Sequence, residues 1–359
     1  MRKYVKWGVG IIVTPFILFA ILAILFYFPP FQKWAVKQVA AYASEKTKTE
    51  ITINHVNLEF PLNLGIEGVK VLQKNDSMPQ INDTVADIRK VVANIKLIPL
   101  FSKKIDIDEL SFDGMKVNTT NFIHEARVKG TIGRMDLVSH CIDLGAEHVN
   151  IDKANLKNAV LDVALSDTVP KDTTKKTVFW KINVHRLNVE KTGLTVHMPG
   201  DTLQVQAYLG KSIAEGGYFD LYKESYKIKS FDWKDGRLNY DNNFKIHSKG
   251  LDYNHVSLSN IAIGIDNLSY RAPNLMIDLR ECRFKEKSGI AVDALAGKIA
   301  LDSTKLLLQR FYFKTPHSYL RAKVSLDLKT FAKDNPGKFN VSLSGKIGKP
   351  DLMHFMSKM

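Results

Sequence analysis

The chain has 359 residues, 45% of them apolar and 25% charged, which excludes wholesale disorder and supplies ample core for one large domain or two. Its net charge is +14, a surplus that fits nucleic acid, an anionic lipid surface or simply a solvated exterior. Two cysteines, Cys141 and Cys282, without a CxxC exclude a disulfide-built scaffold. Both lie among alternating apolar residues, where buried thiols are expected; a bond between them stays open.

Residues 7–28 read WGVGIIVTPFILFAILAILFYF, without one charge. At about 1.5 Å per residue, such a helix crosses a hydrocarbon core of roughly 30 Å. Arg2, Lys3 and Lys6 precede it, so the N-terminus is expected in the cytoplasm and the rest on the other side. A cleaved signal peptide would have a shorter apolar run and small residues at its end. Here the run ends in Phe-Tyr-Phe-Pro-Pro, so a single uncleaved anchor is the reading, occupying residues 1–30 with its cytoplasmic tip. With the body outside the cytoplasm, nucleic acid is excluded as a partner and a membrane surface is favoured.

Residues 31–50 form the next unit, an amphipathic helix and linker. Phe31, Ala35, Val39 and Tyr42 recur at helical spacing, with Lys33, Lys37 and Gln38 between them. Phe31, Trp34 and Tyr42 are the membrane-interface candidates, since amphipathic rings collect at headgroup level. The helix either lies on the membrane, plugs the mouth of the next unit, or caps a β core.

From residue 51 the period becomes two. One pattern recurs, apolar-x-apolar-x-x-apolar-x-apolar, as ITINHVNL (51–58), IDIDELSF (105–112), VNIDKANL (149–156), INVHRLNV (182–189), IGIDNLSY (263–270) and IDLRECRF (277–284), with a looser LLLQRFYF at 306–313. Strict alternation keeps apolar residues on one face; the three-residue step would flip them unless a β-bulge absorbs one residue. Turns are expected at Asp113-Gly114, Pro199-Gly200-Asp201, Lys234-Asp235-Gly236 and the DNPG at 334–337. The polar run 167–176 reads as a loop, 83–89 as a short helical turn, and 350–359 as a terminal helix.

Catalytic and metal motifs are missing. There is no HExxH, GxSxG, P-loop or GxGxxG, and the histidines are single; His140 and His148, flanking Cys141, come nearest and read as surface or packed residues. Asp106, Asp108 and Glu109 occupy polar positions of a strand and read as a solvated face. No enzyme, metal or cofactor is expected. The apolar face is the other candidate site, lined by Ile105, Ile107, Leu110, Phe112, Ile182, Val184, Leu187 and Val189. Such residues fill a closed β-sandwich core equally well, and periodicity alone favours that core over an open groove.

The order of segments resembles a known family. The anchor is followed by YFPPFQKWAVKQVAAYASEKTKTEITINHVNLEFPLNLGIEGVKV, VANIKLIPLFSKKIDIDELSFDGMKV, FDLYKESYKIKSFDWKDGRLNYD, KEKSGIAVDALAGKIALDSTKLLLQRFYFKTPHSYLRAKVSLDL and GKIGKPDLMHF. Together these resemble the AsmA-like superfamily, most closely its TamB branch. The resemblance implies a mainly β fold: one transmembrane helix, a short amphipathic helix, then a long curled antiparallel sheet over 51–359 forming an apolar groove. It implies an inner-membrane protein of a diderm bacterium whose body reaches into the periplasm and carries phospholipid towards the outer membrane. The alternative it implies is an assembly factor that pairs strands with an outer-membrane barrel partner. TamB-like chains are several times longer and end in a further domain not found in this sequence, which touches the barrel partnership more than the groove. With the resemblance, the groove becomes the expected form of the apolar face.

Overall fold

The structure is a computed structural model and describes residues 37, 40–41, 44, 49–59, 63–74, 82–96, 106–119, 126–143, 146–165, 179–201, 203–242, 251–331 and 337–356. The proposed anchor at 7–28, the interface candidates Phe31, Trp34 and Tyr42, and the polar run 167–176 lie outside them. Lys37, Ala40, Ala41 and Ser44 are helical, and Ser44 caps the sheet's first strand, its hydroxyl accepting from Ile51 N at 3.0 Å. Among the described residues no helix is long and apolar enough to cross a membrane.

The protein is mainly β. Fifteen strands form one long curled sheet in sequence order: β1 (Glu50–Glu59), β2 (Asn63–Lys74), β3 (Asn82–Lys96), β4 (Asp106–Asn118), β5 (Ala126–Asp143), β6 (His148–Leu165), β7 (Lys181–His197), β8 (Gln204–Asp220), β9 (Ser225–Asp241), β10 (His255–Arg271), β11 (Asn274–Glu286), β12 (Ala291–Leu301), β13 (Lys305–Lys314), β14 (Tyr319–Asp327) and β15 (Phe339–Lys346). One helix, α1 (Lys349–Met356), closes the described chain, as the terminal segment predicted. Residues 83–89, expected as a turn, are the first half of β3: Val85, Ile88 and Val91 bury against neighbouring strands, and that burial overrides a local preference.

Every pair is antiparallel except β6 with β7, which run parallel. This departs from the antiparallel sheet expected. The long connection between Leu165 and Lys181 returns the chain to the end where β6 began, which a tight turn cannot do. Parallel pairing lines up two motif copies position by position: Val149 with Ile182, Ile151 with Val184, Ala154 with Leu187 and Leu156 with Val189. The asparagines of the two copies align as well, Asn183 donating to Asn150 at 2.7 Å and Asn188 to Asn155 at 2.8 Å.

The three-residue steps are irregularities inside strands. Register breaks fall at the step of β4 (Asn94/Ile95 against Ile107/Glu109), β10, β11 (Leu279/Cys282) and β13 (Leu308/Phe311). Two turn signals turn out to be the same device. Asp113-Gly114 lies within β4 and Lys234-Asp235-Gly236 within β9, with φ of 65° at Gly114 and 54° at Asp235. A left-handed residue marks a bulge as readily as a reversal. Pro199-Gly200-Asp201 does reverse the chain, between β7 and β8. The irregular positions align across strands: Asn54, Gly68, Arg89, Gly114, Gly133 and Asn158 drop out of successive ladders at one level. A seam therefore crosses the sheet, bending it along one line.

Among the described residues no second sheet covers this one, since extensive contacts run only between consecutive strands. Burial is local, as where Val69, Ile88 and Val91 pack with Ile51, Ile53, Leu110, Phe112 and Met115 on both sides of the seam.

Candidate functional site

Register turns the motif into a surface. From Val56, successive partners are Ile66, Val91, Phe112, Met135, Leu156, Val189 and Ser212. The line continues through Trp233, Ile263, Cys282, Leu295, Phe313, Leu320 and Gly345. One level thus crosses all fifteen strands, and every member but Ser212 and Gly345 is apolar. At about 4.8 Å per strand the arc measures about 67 Å.

A second level lies two residues away and runs from Ala93 through Leu110, Leu137, Ala154, Leu187, Ala214, Phe231 and Ile265 to Leu279. A third, nearer one end of the strands, joins Val149, Ile182, Phe219, Tyr226, Tyr270, Leu275, Leu301, Leu306, Leu326 and Phe339. Few of these side chains are fully buried and most are half-buried.

The predicted lining residues fall on these levels. Leu110 and Leu187 share the second, Phe112 and Val189 the first, and Ile182 belongs to the third. Val184 stands between Ile151 and Gly217, and Ile107 opposes Ile95. Ile105 lies outside the described residues. Sequence reasoning missed Met135 and Trp233. Met135 sits in GTIGRMDLV, where glycine and charge hide the period, so its place follows from pairing.

Polar groups on the apolar levels are satisfied by backbone. The Ser212 hydroxyl donates to the Asp232 carbonyl at 3.1 Å, and Ser139 donates to the Asn150 carbonyl at 2.6 Å. Trp233 Nε1 reaches the Tyr208 carbonyl at 3.3 Å. Burial pushes the Cys282 thiol up from its ordinary value. Cys282 is free, and Cys141 lies six strands away on β5, a strand with no extensive contact with β11.

One residue off the first level, the opposite face is charged. His55, Glu67, Lys90, Asp113, Arg134, Lys157, Glu190, Lys211 and Lys234 are successive partners across β1–β9. Ion pairs brace it: Arg89 to Asp113 at 2.6 Å, Lys157 to Glu190 at 3.3 Å and Arg186 to Glu215 at 2.9 Å. Arg280 bridges Asp232 and Asp266. His140 is held by Asp152 at 2.7 Å and His148 lies 3.0 Å from Asn183 Nδ2, so both have structural partners. No group of three metal-ligating side chains occurs among the described residues.

The sheet has unequal edges. At β1, the Ser44 hydroxyl occupies the Ile51 N–H. At the other edge β15 pairs, among the described residues, with β14 alone, and Phe339, Val341 and Leu343 are 64%, 55% and 62% exposed. Helix α1 is fastened beside it by Asp351, which accepts from Thr315 and Ser318 hydroxyls.

The chain matches no protein-family model and no curated protein.

Proposed function

We propose that the apolar face is a cradle for lipid acyl chains, and that the protein is a membrane-anchored, non-enzymatic lipid conduit. One observation carries this reading: an apolar level crosses all fifteen strands without interruption by charge, and among the described residues no second layer covers it. A sandwich core needs a partner sheet. A wall of interchangeable aliphatic groups suits acyl chains, which offer no polar feature to be recognised. The resemblance to the AsmA-like superfamily and its TamB branch supports the same reading and adds the setting: inner-membrane anchorage, a periplasmic body and phospholipid bound for the outer membrane.

The test is capture. The full chain is purified from cells, freed of detergent and examined for lipid by mass spectrometry. A photo-crosslinker replaces Val184 or Leu187 on the apolar levels, or Lys157 on the charged face. Phospholipid adducts are expected at the first two and not at the third. Folded protein without lipid adducts at Val184 and Leu187 rejects the conduit.

A second reading draws on β15, whose outer edge has no partner strand among the described residues and which carries three exposed apolar residues. Such an edge is a template for strand addition, the chemistry an assembly factor for outer-membrane proteins needs. Crosslinks from Val341, rather than from Val184, to nascent barrel strands would favour it.

A further inference from the structure

The two ends of the strands differ in chemistry over β6–β11. At the end holding the start of β7 and the β8–β9 and β10–β11 turns, Lys181, Lys223 and Arg271 are exposed. The acids there are largely engaged. Asp220 is buried at 1% exposure and accepts from Lys223 N at 2.9 Å and Tyr218 Oη at 3.2 Å; its one negative charge is shared by Lys223 and by Lys181, its cross-strand partner, so the cluster stays net positive. Glu147 accepts from Phe179 N at 2.6 Å. Glu224 is the exposed carboxylate, and Lys227 adds a positive charge on the opposite face. The other end carries Asp162, Asp241, Asp252 and Glu286, with His197 and His255 bound to the first three and Lys285 and Lys287 beside Glu286.

Aromatic rings line the margin of the apolar face at the cationic end. Tyr226 and Tyr270 stack in parallel at 6.1 Å and Phe219 lies 6.3 Å from Tyr226. Beyond them Phe179 and Tyr222 meet at 4.8 Å, 51% and 57% exposed. Along β9 and β10 the paired residues pass from Trp233 and Ile263, through Phe231 and Ile265, to Tyr226 and Tyr270, and then to Arg271 at the turn. This is the order of one membrane leaflet: hydrocarbon, amphipathic ring, then cation at the phosphate. Seven residues separate Trp233 from Tyr226, about 23 Å of strand, which exceeds the ~15 Å depth of half a hydrocarbon core.

We infer that Lys181, Lys223 and Arg271, with the Tyr222, Tyr226 and Tyr270 rings, form a headgroup site for an anionic glycerophospholipid whose chains lie on the apolar levels. The assignment rests on the acyl-chain reading and adds an orientation: every bound lipid points its phosphate to this end. Lys181 and Arg271, next to Ile182 and Tyr270, start on the charged face; as the terminal residues of their strands they reach the margin of the apolar face round the strand ends by their flexible stems.

The test loads the full chain with phosphatidylglycerol or with diacylglycerol of the same chains. The double variant Lys223→Gln/Arg271→Gln is expected to retain phosphatidylglycerol on the order of tenfold less well. Diacylglycerol retention and the circular-dichroism strand signal stay unchanged. Asp241→Asn at the opposite end changes neither lipid. Unchanged phosphatidylglycerol retention, or equal loss of both lipids, overturns the headgroup site while leaving the acyl cradle standing. Wild type that retains neither lipid overturns the cradle and the headgroup site together. Inorganic phosphate in excess is expected to release no more lipid than chloride of equal ionic strength; specific release would make this a free-phosphate site.

Discussion

Single residues hold the bends. Gly68 sits at φ 64°, and a Cβ there would lie 2.5 Å from Asn54 Nδ2. Gly68→Ala is therefore expected to lower stability by about 1–2 kcal/mol in denaturant titration. Lys191 has φ 48° with a full side chain, so Lys191→Gly changes stability by less than about 1 kcal/mol, relief of strain offsetting added chain entropy. Asp220 holds the β8–β9 turn, and the backbone hydrogen bond from Lys223 keeps its carboxyl below the usual range. Because the folded state prefers the ionised form, its contribution is complete above the ordinary carboxylate value, about 4. It is lost as pH falls through the lowered folded value. Asp220→Asn should flatten the acid limb of the stability profile and speed amide exchange at Leu221–Glu224.

Strands differ in how much they matter. Ile261 on β10 is 2% exposed, and Ile261→Ala is expected to cost about 2–4 kcal/mol. Val341 on β15 is 55% exposed, so Val341→Lys should fall within about 0.5 kcal/mol in stability. It should also reduce concentration-dependent association, measured by light scattering, because a charge on an open edge opposes strand addition. The strand motif was legible because it repeats at 51–58, 149–156, 182–189 and 263–270. Strand β5 was not, since its glycines and charges interrupt the period. Asp113-Gly114 and Lys234-Asp235-Gly236 misled because a positive φ serves a bulge and a turn alike, and only cross-strand pairing distinguishes them.

At the scale of the molecule, a sheet in which each strand leans only on its neighbours behaves as a one-dimensional array. Unfolding should be less cooperative than in a two-layer domain of the same length. Hydrogen exchange should be slowest in the long central strands β5–β10 and fastest in β15, whose residues are exposed throughout. Uniform protection across all strands would point to a covering layer or partner.

The sequence by itself determined that the chain after residue 50 is β, that its strands carry one apolar face with a hitch, and that charge alternates onto the other. These follow from local periodicity, which each strand states separately. Which residues stand side by side was decided by tertiary structure. Nothing local shows that β6 and β7 run parallel, that Met135 and Trp233 join Phe112 and Val189 on one level, or that Tyr226 and Tyr270 stack at one end of the strands. Register depends on pairing summed over whole strands, and the choice between a closed sandwich and a single curled sheet depends on what covers the apolar face. Neither quantity is carried by any one stretch of sequence.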